Sequence, residues 1–160
     1  MLIFSRQDLP ILDRSGASGS LANGAYILSD PEGEPDVVLI GTGSEVNLAV
    51  RAAALLEEHG VHARVVSMPS WELFAEQDAA YQERVLGPVG TPRVAVEAGV
   101  TIGWERFVGD NGAVVGIDRY GASGPGDEVL AYFGFTPQHV AATALRVLGL
   151  DDLAESIPGR

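Results

Sequence analysis

The stretch from residue 36 to residue 71, DVVLIGTGSEVNLAVRAAALLEEHGVHARVVSMPSW, constrains the fold more than any other, because strand, helix and strand follow with their boundary residues in place. Asp36-Val37-Val38-Leu39-Ile40 is an almost unbroken aliphatic run, the pattern of a strand covered on both faces in a parallel sheet. Gly41-Thr42-Gly43 turns the chain. Ser44 then reads as the N-cap of a helix, with Glu45 set against the positive helix end. Val46, Ala49, Val50, Ala52, Ala53 and Leu56 recur at helical spacing, while Arg51, Glu57 and Glu58 fall on the opposite side. Gly60 ends the helix, residues 61–68 form the next strand, and Pro69 stops it. Two parallel strands need a crossover, so the helix lies across the sheet in the right-handed sense.

The other elements are read as additions to this unit. Residues 24–30 are a strand separated from Val37 by the turn Pro31-Glu32-Gly33-Glu34-Pro35, which predicts an antiparallel hairpin at one edge of the sheet. A short helix begins at Ser70-Trp71, and Asp78 caps another. Residues 93–98 and 113–117 are two further strands. Pro125, Asp127 and Glu128 mark one helix start and Thr136-Pro137 a second. Val140, Ala141, Ala144, Leu145 and Leu148 make the apolar stripe of that last helix, which Gly149 closes. Residues 13–23, DRSGASGSLAN, have the composition of a flexible loop or linker. Residues 151–160 read as a frayed polar tail. Met1-Leu2-Ile3-Phe4 is a buried-type strand with nothing before it, as in a domain fragment.

At 160 residues the chain has the length of one domain, and 46% hydrophobic content fits a globular one. A formal charge of -12 argues against nucleic acid, whose phosphates the summed field would repel. No apolar run approaches the ~18 residues of a membrane span, and the N-terminus lacks a signal-peptide pattern, so a soluble, cytoplasmic protein is expected. The absence of cysteine removes disulfides, thiolate metal sites and cysteine nucleophiles together.

Five strings arrive in a telling order: Ser5-Arg6-Gln7; Thr42-Gly43-Ser44-Glu45-Val46; Val65-Val66-Ser67-Met68-Pro69-Ser70; Arg93-Val94-Ala95-Val96-Glu97-Ala98-Gly99; and Gly116-Ile117-Asp118-Arg119-Tyr120-Gly121-Ala122-Ser123. In order and spacing they resemble the C-terminal part of bacterial transketolases, over residues ~1 to ~149. The resemblance implies an α/β fold, a three-layer α/β/α sandwich on a mixed, mostly parallel sheet of about five strands with one antiparallel edge strand. It divides the chain into the last strand of a preceding pyrimidine-binding domain (1–7), an interdomain linker (8–23), the C-terminal domain (24–150) and the tail (151–160). It also implies an enzyme that moves a two-carbon ketol unit from a ketose phosphate to an aldose phosphate in the pentose phosphate pathway. Such an enzyme uses thiamine diphosphate and a divalent metal, Mg or Ca, bound by domains outside this chain. The implied partners are those remaining domains and a second subunit of a homodimer, and the chain alone is expected to be inactive and to bind neither cofactor. Two departures concern loops: Gly124-Pro125-Gly126-Asp127 stands where the family commonly has alanines around the proline, and residues 99–104 differ from the enterobacterial form.

One site residue carries over. Arg6 matches the family arginine that helps hold the sugar phosphate, a role suited to a planar guanidinium that stays charged. One charged hydrogen bond contributes about 1.5 to 3 kcal/mol, whereas millimolar affinity needs roughly 4, so Arg6 alone should not retain the substrate. The turn at residues 41–45 imitates a phosphate cradle, but it lacks the third glycine of a dinucleotide fingerprint and the lysine of a phosphate loop, and Glu45 would repel an anion. His59 and His62 straddle a helix end without a carboxylate pair to complete a metal set, and His139 is isolated. The doublets Glu57-Glu58, Asp127-Glu128 and Asp151-Asp152 read as solvated faces. No catalytic residue is assigned. Trp71, Phe74, Trp104 and Phe107 each follow a strand, which places them at one rim of the sheet, and some are expected to stay part exposed as interface residues. The alternatives are a related ketol transferase, such as a dihydroxyacetone synthase, and a free-standing module that binds a nucleotide or a protein.

Overall fold

The computed structural model describes residues 8–158. Five strands form one sheet in the order β1-β3-β2-β4-β5, with β1 at Tyr26–Ser29, β2 at Val37–Gly41, β3 at Ala63–Ser67, β4 at Arg93–Val96 and β5 at Ala113–Val115. The pairs β2–β3, β2–β4 and β4–β5 are parallel, and β1 runs antiparallel to β3. The fold is the mixed three-layer sandwich expected.

The alternation of side chains explains the layers. Val37, Leu39, Val65, Val94 and Val96 face a cluster that includes Ala49, Ala52 and Leu56 of α1 (Val46–Glu57) and Val140, Ala141 and Leu145 of α6 (Pro137–Val147). Val38, Ile40, Val66 and Ala95 face the other layer, where they meet Phe74 of α2 (Trp71–Ala75), Val85 of α3 (Ala79–Leu86) and Phe107 of α4 (Glu105–Val108). Each fully buried aliphatic side chain contributes about 1.5 to 3 kcal/mol from removal of apolar surface from water. The start signals at Asp78 and Thr136 are made: their side chains accept from the N–H groups of Tyr81 and His139.

Three expectations are corrected. β1 is antiparallel as predicted, but its neighbour is β3, not β2. The all-buried strand β2 takes the centre, flanked on both edges by β3 and β4, which leaves β1 an outer place. The link over residues 30–36 need only span two strand spacings, about 10 Å. At its start Gly24 has φ +77°, and a Cβ there would collide with the Phe74 backbone nitrogen, so only glycine lets β1 pass so close to α2.

The run 13–23 is held against the domain instead of hanging free. Ser18 exchanges both backbone hydrogen bonds with Ile27, Leu12 and Ala17 pack on the core, and the Arg14 guanidinium lies 5.1 Å from the Tyr26 ring centre. Composition alone missed these contacts because they pair a polar strand edge with backbone groups. The tail is likewise ordered into α7 (Asp151–Ser156), where Ala154 and Ile157 are buried and Leu153 packs beside them. Those three apolar residues sit at helical spacing, a stripe that the surrounding acids obscure.

Candidate functional site

In a sheet of this order the chain reverses its winding between β2 and β4, and ligands of such folds bind in the crevice outside those carboxyl ends. β2 delivers the turn at residues 41–45 to this point. The helix start differs from the expectation: a 3-10 turn, Gly43–Glu45, precedes α1, its N-cap is Thr42, and Ser44 caps nothing. Instead the Ser44 hydroxyl donates to Glu45 Oε1. Glu45 Oε2 accepts from the Ala98 backbone N–H at 3.3 Å, and the residue is only 7% exposed. The carboxylate therefore fills the place where a bound phosphate would lie. Gly41 makes the turn possible, because a Cβ there would sit 2.8 Å from the Val46 Cα.

A second carboxylate stands at the end of β4. Glu97 Oε2 accepts from the Trp104 indole N–H at 2.8 Å. Trp104 is wholly buried and meets Trp71 edge-on at 5.0 Å and Phe107 at 5.7 Å, while Phe74 packs on Phe107 at 6.2 Å. The four aromatic residues thus gather at one rim as predicted. Of the two tryptophans only Trp71 keeps partial exposure, under the Arg106 guanidinium at 4.6 Å. Beyond β5, Asp118 accepts from both the N–H and the hydroxyl of Thr101, and the backbone hydrogen bond first, then the hydroxyl, holds its carboxyl below the usual aspartate range. Arg119 lies over the Phe133 ring at 4.8 Å.

Arg6 lies outside the described residues. His62 pairs through Nδ1 with Glu57 Oε2 at 3.0 Å on the surface, and that hydrogen bond, with the charge of Glu57, raises its pKa. His59 sits just past α1, its backbone N–H donating to Leu56 O. His139 is in the first turn of α6, where burial pushes its pKa down and the charge of Arg146 adds to the effect. Asp127 and Glu128 are exposed in the first turn of α5 (Gly126–Tyr132), and Asp151 and Asp152 in that of α7. Among the described residues no three of His, Asp and Glu gather as ligands for a metal ion. The carboxylates at the switch point are already engaged by protein donors, so these residues do not fit the divalent metal and diphosphate that the resemblance implies for the whole enzyme, and no step is derived through them.

The grooves are open. One of about 380 Å³ lies beside Leu9, Glu45, Arg51 and Thr136, and another of about 550 Å³ runs along the side of β5 from Ile102 past Glu105 to Gly109 and Gly112, which precede that strand. What the arrangement does chemically is brace loops, with Glu45, Glu97 and Asp118 each accepting from a neighbouring protein donor. The family model described as the transketolase-like C-terminal domain matches residues 24–136. The chain belongs to that family. A transketolase of Halalkalibacterium halodurans is 48% identical over 149 residues, covering 92% of this chain and 22% of its own length. The chloroplastic transketolase of Solanum tuberosum is 49% identical, with 20% of its length covered. A solved Pichia stipitis transketolase complex with xylulose-5-phosphate superposes with a TM-score of 0.80 at 37% identity over 92% of this chain and 21% of that one. This transketolase C-terminal domain thus spans about a fifth of the length of the curated relatives it matches.

Reasoning from sequence missed Glu97, Arg93 and the Thr101–Asp118 tie. Glu97 precedes Ala98-Gly99 at a strand end and Trp104 follows within two helical turns, a weak signal of a carboxylate–indole pair. Nothing marked Arg93, whose guanidinium donates to the carbonyls of Leu86, Gly87, Pro88 and Phe107.

Proposed function

We propose that the chain is the assembly domain of a longer enzyme that transfers a two-carbon ketol unit from a ketose phosphate to an aldose phosphate. The observation that carries this reading is the 48% identity to a transketolase over nearly the whole chain, joined to a switch-point crevice already filled by Glu45. Thiamine diphosphate and a divalent metal are held by the parts of the enzyme outside this chain, in the cytoplasm and in a homodimer. Residues 1–7 close the preceding pyrimidine-binding domain, residues 8–23 connect it to the domain of residues 24–150, and Arg6 gives one charged hydrogen bond to the substrate phosphate.

The test is steady-state kinetics of the longer polypeptide with saturating thiamine diphosphate and Mg. Ketol transfer between phosphorylated sugars is expected. Arg6→Ala is expected to raise KM for a phosphorylated acceptor by about 10- to 150-fold, the equivalent of about 1.5 to 3 kcal/mol, and to leave an unphosphorylated acceptor unaffected. Loss of both substrates in parallel, or of neither, would refute the role given to Arg6.

A further inference from the structure

The sequence holds three asparagines, and two of them, Asn23 and Asn111, stand directly before a glycine. Such a pair is chemically reactive, because glycine has no Cβ to keep its backbone nitrogen away from the preceding side-chain amide. The fold treats the two copies in opposite ways. Asn23 is caged: its Oδ1 accepts from the Ser20 N–H at 3.1 Å and the Ser20 hydroxyl at 3.2 Å, and its Nδ2 donates to Gln77 Oε1 at 3.1 Å. Gly24 behind it is buried, its N–H donating to Leu21 O at 3.1 Å and its carbonyl accepting from the Ser70 N–H at 3.0 Å. To turn back on the chain, Asn23 must break all its side-chain hydrogen bonds and shift Gly24 against α2. Asn111 is free. It is exposed in the turn between α4 and β5, and its side chain makes no hydrogen bond among the described residues. The N–H of Gly112 reaches Gly109 O only at 3.4 Å, long for such a bond. Packing nevertheless demands this glycine, since a Cβ on it would lie 2.4 Å from Val108 O and 2.7 Å from Arg93 O. The fold thus keeps a reactive pair at an open turn.

We propose that Asn111 is a site of spontaneous deamidation in the folded protein, and that Asn23, with the same neighbour, is protected by its cage. The step needs only water. The Gly112 backbone nitrogen attacks Asn111 Cγ, and the N–Cγ bond forms as the Cγ–Nδ2 bond breaks. The side-chain nitrogen leaves as ammonia, taking the proton of the Gly112 N–H. Water then opens the cyclic imide at either carbonyl, with no electron gained or lost. Cleavage at Cγ leaves an aspartate at position 111; cleavage at the main-chain carbonyl leaves an isoaspartate, in which the chain runs on through Cβ and Cγ. Either product adds a negative charge beside Asp110. The isoaspartyl link also lengthens the backbone by a methylene just ahead of Gly112, where Val108 and Arg93 leave no room. β5 has only three residues and pairs with β4 alone, so this product loosens β5 from the sheet. The chemistry does not depend on the reaction of the longer enzyme; it gives the domain a slow covalent ageing step of its own.

The basic residues are all arginine, so trypsin releases Asn111 in fragment 107–119 and Asn23 in fragment 15–51, and tandem mass spectrometry reads the conversion at each. The 160-residue chain is kept warm at mildly alkaline pH for several weeks, folded and in urea, with circular dichroism confirming the state of each sample. In the folded chain, conversion at position 111 is expected to outpace that at position 23 by about tenfold or more, the factor set by the local opening that Asn23 needs first. In urea the two rates should be comparable. Isoaspartyl methyltransferase should label fragment 107–119 of the aged folded chain, and Asn111→Gln, which closes the ring far less readily, should abolish both the label and the released ammonia. Equal rates at the two sites in the folded chain would overturn the proposal, as would an Asn111 that converts in urea but not when folded. An Asn23 equally slow in urea would show that the cage protects nothing and would also overturn it. Aged protein rich in isoaspartate should melt below both the fresh chain and Asn111→Asp; melting together with Asn111→Asp would overturn the loosening of β5.

Discussion

Replacing Arg93 tests the packing argument where it is most exposed to refutation. Its guanidinium, half-buried at the start of β4, has no carboxylate partner among the described residues; four carbonyl oxygens accept its hydrogen bonds at 2.9–3.0 Å, and burial lowers its pKa. Two of those carbonyls end α3 and two close the adjoining loop and α4, so one side chain ties three segments to the sheet. Arg93→Met removes the charge and keeps much of the stem. It returns the desolvation cost of the cation but orphans the carbonyls. That of Pro88 can turn to water, whereas those of Leu86, Gly87 and Phe107 belong to buried residues, and each unsatisfied group costs about 1 to 3 kcal/mol. The expected loss is about 3 kcal/mol. Arg93→Lys, with three donors and no planar fork, should recover about half. With a urea slope of about 2 kcal/mol/M, the Met variant should unfold at a midpoint about 1.5 M lower and the Lys variant about 0.7 M lower. A shift below about 0.3 M for Arg93→Met would show that the four hydrogen bonds stabilise nothing in net terms.

Trp104→Phe removes the donor to Glu97 and should cost about 1.5 to 3 kcal/mol in urea unfolding, while Glu97→Gln, which keeps an acceptor, should cost less than 1. Millimolar ADP or NAD should leave the backbone amide resonances of residues 41–45 unshifted, because the Glu45 carboxylate holds that place; saturable shifts there would contradict the assignment. His139 favours its neutral form in the fold, so its contribution to stability is complete above its ordinary value near 6.5 and is lost as pH falls through the lower folded value. Thermal unfolding of His139→Gln should accordingly show a flatter decline below pH 6.5 than the parent. The Glu57–His62 pair has the opposite sign, fully present below about 6.5 and lost as pH rises through the raised folded value, so His62→Gln should lower the melting temperature slightly below pH 6.5 and leave it unchanged well above that value.

The periodic elements were legible because each carries its own signal. The run at β2 is apolar at every position, and α1 shows its buried stripe in a row of alanines, so the strand-helix-strand unit followed from local patterns, while the three layers were implied by the family resemblance. The neighbour of β1 was not legible, since turn length predicts a hairpin while strand order is decided by which strand must be buried on both edges. α7 was hidden because Asp151, Asp152 and Glu155 are interleaved with the three apolar residues that fold it. At the switch point the turn glycines were visible, but the role of Glu45 was only half seen. Its charge argued against an anion, yet its bond to Ala98 depends on a residue 53 positions away in sequence. Arg93 is the extreme case: all its partners are backbone atoms, which leave no trace in side-chain identity.

The most direct measurement is ketol transfer by the purified 160-residue chain, supplied with thiamine diphosphate, Mg, a ketose phosphate and an aldose phosphate and monitored for product. The account predicts a folded, cooperatively melting protein with turnover indistinguishable from the enzyme-free control. Turnover above that control, proportional to the concentration of the chain and abolished by Arg6→Ala, would contradict it.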